Sequence, residues 1–273
     1  MPSGRLTAGE VVAEGFGFFS ANIRLFFHLV TIPWILSIAI RAIRTAISEE
    51  SLAALLVEKA IDVLPTVMFM VAWQRVVLLG PQRVDGIPGL RWSSRESAYI
   101  GHLIKIAGAT FVLLAAFMLT IWPLEPGALR PGAALDPEAA ERYSLAGPLA
   151  AGFIISMVLA LRVSWGLAAT AVDVPFSPRN AWAYSRGSAW AIVGALFVTY
   201  FAGELAAAMA MLLSAAFMRG VLGAREAATV VAWTAAILAS YAATAVIAGV
   251  QAAIFRRLTG WREGAPLPAP PGS

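Results

Sequence analysis

The sequence predicts an all-α, polytopic membrane protein with six transmembrane helices, arranged as three two-span hairpins with amphipathic helices at the interface. Three observations carry this expectation. Of 273 residues, 59% are hydrophobic and only 13% are charged, and the mean hydropathy is +0.76. Soluble domains hold about one quarter charged residues, and a fold of this size has too little water-facing surface for so much apolar area, so lipid must solvate the remainder. Apolar runs close to the roughly 20 residues that cross a bilayer recur along the chain. Basic residues gather in alternate connections, as the positive-inside rule requires.

The elements follow in order. Residues 1–24 read as a cytoplasmic amphipathic segment: Thr7-Ala8-Gly9-Glu10 has capping-box spacing and opens an amphipathic run through Phe19. With Glu10, Glu14 and Arg24 among them, they lack the apolar stretch of a cleaved signal, so the first run is expected to stay as an anchor. Residues 25–258 form the six-span domain. The first span runs from Leu25 to Ile43, with a kink expected at Pro33. The second runs from Ala60 to Leu79, closely bracketed by Glu58, Lys59, Asp62 and Arg75. The third runs from Ile100 to Pro123, preceded by Ser93-Ser94-Arg95-Glu96, again with capping-box spacing. The fourth runs from Pro148 to Val172. Ser177-Pro178 then places a cap residue before proline at a helix start, ahead of the fifth span, Ala189 to Ala215. The sixth occupies Ala227 to Phe255, 29 residues without a charge. Residues 259–273, with four prolines between Gly264 and Ser273, read as a disordered cytoplasmic tail.

An internal repeat is visible. Ser94-Arg95-Glu96-Ser97-Ala98-Tyr99 aligns with Ser185-Arg186-Gly187-Ser188-Ala189-Trp190, 91 residues later, and Phe19-Ser20-Ala21-Asn22-Ile23-Arg24 is a weaker third copy. The reading is three units, each an interfacial helix followed by two spans. Small residues recur every fourth position at Ala202, Ala206, Ala210 and Ser214, and again from Ala228 through Ala232, Ala236, Ser240, Thr244 and Ala248 to Ala252. Such rows let helix backbones approach closely in lipid, so spans five and six are expected to form a tight hairpin.

Composition also excludes chemistry. There is no cysteine and there are only two histidines, so disulfides, thiolate catalysis and Cys- or His-based metal sites are not expected. The pI near 9.8 does not signal nucleic acid, because the basic residues are scattered between apolar runs. No phosphate-binding glycine loop, metalloprotease His-Glu spacing or serine nucleophile elbow occurs. The expectation is a protein that is not an enzyme, with no cofactor and no metal. The sharpest functional pointers are charges inside spans, each costing about 2.5 to 3.5 kcal/mol at the bilayer centre unless paired or lining a cavity. These are Arg75, Arg162 and Glu204, read as a candidate intramembrane polar site or as structural pairing, with contact between Arg162 and Glu204 left open.

The segment from Ala171 to Leu196 resembles a broad group of bacterial integral membrane proteins related to the membrane domain of some glycerophosphodiester phosphodiesterases. The resemblance rests on Ser185, Arg186 and Gly187, followed by Trp190, Ile192 and Gly194. It implies a multi-pass fold in the bacterial inner membrane. It implies no hydrolase activity, because the catalytic barrel of those enzymes is absent. Two functions are weighed: a scaffold, lipid-contacting module or accessory subunit, with membrane lipids and a protein partner or second copy as its contacts, and a small transporter or permease subunit using the intramembrane polar site.

The charge distribution generates a test. With flanking residues counted, thirteen basic residues fall on the side of both termini and seven on the other, which predicts both termini in the cytoplasm. Reporter fusions near Pro131 and Gly220 are expected to score outside and a fusion near Gly86 inside. A cytoplasmic signal at Gly220 overturns this topology.

Overall fold

A computed structural model describes residues 6–47, 51–83, 92–121 and 146–268. Among these residues the secondary structure is helical, without a strand. The helices are α1 (Ala8–Ala21), α2 (Ile23–Ile47), α3 (Leu52–Leu79), α4 (Ser94–Ile121), α5 (Ala146–Ser164), α6 (Leu167–Ala171), α7 (Pro178–Tyr184), α8 (Ala189–Gly220) and α9 (Arg225–Thr259), with a 3-10 turn at Pro81–Arg83. The loops around Gly86 and Pro131, the Glu49-Glu50 pair and residues 269–273 lie outside the described residues.

Five described segments are long and apolar enough to cross a membrane: Ile23–Ile47, Ser94–Phe117, Ala150–Ala171, Ala189–Gly220 and Ala227–Thr259. The expected second span, α3, is not among them. It has the length, at 28 residues, but Glu58, Lys59, Asp62, Gln74 and Arg75 dilute its apolar character. Its C-terminal half is instead turned into the protein, with Val67, Phe69, Trp73 and Gln74 buried.

Helix starts follow local chemistry. Thr7 accepts from the Glu10 amide, Ser51 from Ala54 and Ser177 from Asn180. Each side chain satisfies an amide that the first helical turn leaves unpaired. At Ser93 the Glu96 carboxylate reaches back to the Ser93 amide at 2.8 Å, the return half of a capping box. The fourth span is broken after Ser164, and the chain resumes as α6, with Trp165 fully buried at the break. The aligned repeat segments differ locally. Ser97 lies within α4, whereas Ser188 precedes α8, and Tyr99 is buried where Trp190 is exposed.

Helix α9 is the centre of the bundle, touching α1, α2, α3, α6 and α8. Its contact with α1 is backbone on backbone: a Cβ built on Gly15 would lie 2.7 Å from Val250 Cγ2 and 2.8 Å from the Val250 nitrogen, and one on Gly249 would lie 3.1 Å from Gly15 Cα. Charge closes the same contact, because Glu14 pairs with Arg256 and Arg257, and Glu10 with Arg257 at 2.7 Å. α1 and the C-terminal end of α9 therefore lie together. Two aromatic-rich cores flank α9. One is built on Phe26, Phe69, Trp73, Tyr99 and Tyr241, the other on Trp165, Phe176, Tyr184, Phe255 and Trp261.

α2 and α3 lie antiparallel, touching at both ends: Phe26 against Trp73 at one, Arg41 and Arg44 on Glu58 at the other. α2 runs on as helix through Pro33, whose carbonyl accepts from the Tyr241 hydroxyl at 3.2 Å.

α8 and α9 pack closely, but along a different line from the one expected. The buried row on α8 is Thr199, Gly203 and Ala207, while Ala202 and Ala206 face outward. A Cβ on Gly203 would come within 2.6 Å of the Ala243 Cβ. On α9, Ala228, Ala232, Ala248 and Ala252 are buried but Ser240 is exposed. A strict four-residue row advances 400° per step against a 3.6-residue turn, so it winds around the helix and cannot hold one face over seven members. The C-terminal segment also departs from expectation. Trp261 is buried, Leu267 packs against the second core, and Tyr184 donates to the Pro268 carbonyl, so the chain to residue 268 is docked on the bundle.

Gly15→Ala is expected to destabilise the protein by about 1–3 kcal/mol, because the methyl meets backbone atoms that cannot yield. Ser240→Leu, on an exposed position, is expected to leave the detergent melting temperature unchanged. An unaltered melting curve for Gly15→Ala would show that α1 does not sit on α9.

Candidate functional site

The three intramembrane charges do not converge. Arg75, near the end of α3, donates to the Ala171 carbonyl at 3.0 Å and lies 3.7 Å from Asp173. Asp173 is held in turn by Arg95 Nε, at 2.9 Å and 2.7 Å to its two oxygens. Asp173 adopts φ 59°, a left-handed conformation unusual outside glycine, in the turn after α6. This cluster ties the end of α3 and the start of α4 to the connection after the fourth span. Asp173 carries no capping or in-span signal in the sequence, so the fold alone identifies it as the partner of Arg75 and Arg95.

Arg162, near the end of α5, is held by α7 and the turn after it. Its guanidinium carbon stacks 3.4 Å from the centroid of the Trp182 ring, and its Nε donates to Ser185 Oγ at 2.9 Å. Ser185 is fully buried and also donates to the Trp182 carbonyl. The Ser-Arg-Gly stretch marked in the sequence therefore includes the hydroxyl that positions Arg162. Arg186, the next residue, adds a second positive charge beside it. α7 is short, yet Ser177 and Pro178 start it, and Ala181 and Tyr184 anchor it by burial. That same burial raises the Tyr184 phenol above its ordinary pKa.

Glu204 occupies neither cluster. It lies on the outward face of α8, between the buried Gly203 and Ala207, with no hydrogen-bond or ion-pair partner among the described residues. Arg75, Arg162 and Glu204, read as a candidate polar site or as structural pairing, thus fall at two separate arginine sites and an outward-facing carboxyl. Helical phase is the reason: Gly203 and Ala207 claim the packed face, and Glu204 is rotated about 100° from Gly203.

Two buried features escaped the sequence reading. Gln74 on α3 donates to Gln251 on α9 at 2.9 Å, and both side chains are fully buried. Being uncharged, they leave no mark in a scan for charges. Glu58, one of the charges bracketing the expected second span, is buried between Arg41 at 2.9 Å and Arg44 at 2.5 Å, with Arg41 also over the Trp233 ring. It clasps α2 to α3.

The cavities are apolar grooves on the flanks of the bundle. One of about 320 Å³ lies between α1, α8 and α9, lined by Phe16, Phe19, Ala202, Gly203 and Ala243. Another of about 430 Å³ lies between α4, α5 and α7, lined by Ile106, Leu113, Leu159, Val163, Lys105 and Trp182. A third of about 260 Å³ lies between α2 and α3 beside Glu58. His102 Nδ1 and Thr170 Oγ1 lie 2.6 Å apart, beside a small pocket adjoining the second groove. Among the described residues, no three metal-ligating side chains come together.

The chain matches no known family model, no curated protein and no solved structure.

The separation of Arg162 from Glu204 is testable by a double-mutant cycle. Glu204→Gln and Arg162→Gln are expected to add to within about 0.5 kcal/mol in thermal stability, as non-contacting sites do. Arg162→Gln carries the whole loss, and Glu204→Gln leaves folding intact. A coupling energy well above that limit would place the two residues in contact.

Proposed function

We propose that this chain is a non-enzymatic, multi-pass protein of the bacterial inner membrane whose role is to contact membrane lipid, as a lipid-contacting module or scaffold. The observation that carries this reading is the set of lateral apolar grooves, which open to the flanks of spanning helices where lipid chains lie. The runner-up, a transporter using Glu204, needs a polar passage reaching that residue. Glu204 faces outward, and it lines none of the grooves described above.

The same reading takes α3 as a sixth span, antiparallel to α2, with three successive hairpins α2–α3, α4–α5 and α8–α9. Packing within each pair supports it. The pairing of Glu10 and Glu14 with Arg256 and Arg257 supports both termini on one side, and the basic excess supports that side as cytoplasmic. The likeness of the segment around Ser185, Arg186 and Gly187 to bacterial membrane domains supports the bacterial setting.

Purification in native-membrane nanodiscs, followed by mass spectrometry of what co-purifies, tests the function. Retained phospholipid at defined stoichiometry is expected, with or without a second copy or partner protein. Reconstituted solute flux that Glu204→Gln abolishes would replace this reading with transport.

A further inference from the structure

Three groups of arginines in this protein are neutralised by nearby carboxylates. Arg41 and Arg44 meet Glu58, Arg75 and Arg95 meet Asp173, and Arg256 and Arg257 meet Glu10 and Glu14. Lys105, Arg162 and Arg186 have no carboxylate within ion-pair distance among the described residues. Trp182 links these three to one groove. Lys105 lines the groove of about 430 Å³ between α4, α5 and α7, and Trp182 lines it too. Arg162 covers the ring of that tryptophan, with Arg186 beside it.

We propose that this groove binds one anionic phospholipid, with an acyl chain lying against Ile106, Leu113 and Leu159 and the phosphate held among Lys105, Arg162 and Arg186. The inference rests on the lipid-contacting reading above and names the lipid class and its site. Ala109 and Ala160 leave the space between α4 and α5 that a chain would fill. Trp182 suits the headgroup level, where tryptophan favours the interface. Arg162 is pre-oriented, because its Nε is held by Ser185 and its plane lies on Trp182. Its remaining guanidinium donors can fork onto phosphate oxygens. Lys105 sits on an exposed part of a spanning segment, where its stem can lie along apolar surface while the ammonium reaches the headgroup zone. A zwitterionic lipid brings no net charge to the three cations and adds a cationic group beside them, whereas an anionic one contributes net negative charge. Each basic residue near a membrane surface attracts anionic lipid by about 1 kcal/mol, or about fivefold in affinity.

The full chain, delipidated in detergent and then exposed to equal phosphatidylglycerol and phosphatidylcholine, tests this by native mass spectrometry. Preferential retention of one phosphatidylglycerol is expected. Lys105→Gln and Arg186→Gln, both at exposed positions, are each expected to weaken it about fivefold. Ala160→Phe, which fills the groove, is expected to abolish it. Should Ala160→Phe misfold, the two exposed variants decide the matter alone. Equal retention of both lipids overturns the anionic site while leaving the lipid-contacting reading in place, and retention of no lipid overturns both. Wild-type preference in Lys105→Gln and Arg186→Gln overturns the site. So does displacement of the lipid by excess inorganic phosphate alone, which would indicate a free-anion site, or binding of an acidic protein segment there in place of lipid.

Discussion

The crossing of α1 over α9 at Gly15 and Gly249 is the contact on which the rest of the bundle depends. Neither glycine carries a side chain there, so the two helix backbones approach closely, which brings α9 close enough to α1 for Glu10 and Glu14 to reach Arg256 and Arg257. Pinned in that way, α9 becomes the post around which the other helices are arranged. It presents Tyr241 and Ala245 to one core and Val250, Ile254 and Phe255 to the other. In lipid, water does not drive helices together, so close packing and a few hydrogen bonds must supply the association. Gln74 to Gln251, Trp34 to the Thr234 carbonyl and Ser37 with Tyr241 are such bonds, each joining α9 to α2 or α3.

Charge follows the same economy. Buried or half-buried ions are costly unless paired, and three of the arginine clusters carry their carboxylate with them. The pairs do structural work: one clasps α2 to α3, one joins α3 and α4 to the turn after α6, and one docks the amphipathic α1. Capping chemistry accounts for where α1, α4 and α7 begin. The amphipathic α1 therefore covers the bundle end and is also fastened to the last helix. Arg162 is held differently, by the Trp182 ring and the Ser185 hydroxyl, and Glu204 is an acid turned outward among apolar neighbours.

Much of this was legible in one dimension. Composition and apolar run length predict a helical chain of six spans, and five described segments are long and apolar enough to cross a membrane, because a membrane constrains hydropathy and length directly. The capping spacings at Thr7, Ser93 and Ser177 located helix starts because caps act within one turn. What sequence alone determined was therefore everything governed by near neighbours or by the bilayer: helix type, helix starts, and which residues carry charge within apolar runs. Tertiary structure decided which face of each helix is turned inward. A shift of one residue rotates a side chain by about 100°, so the small-residue line moved from Ala202 to Gly203, and Glu204 turned outward and away from Arg162. It also decided partners distant in sequence, Gln74 with Gln251 and Arg162 with Trp182, since no local rule selects one distant residue over another.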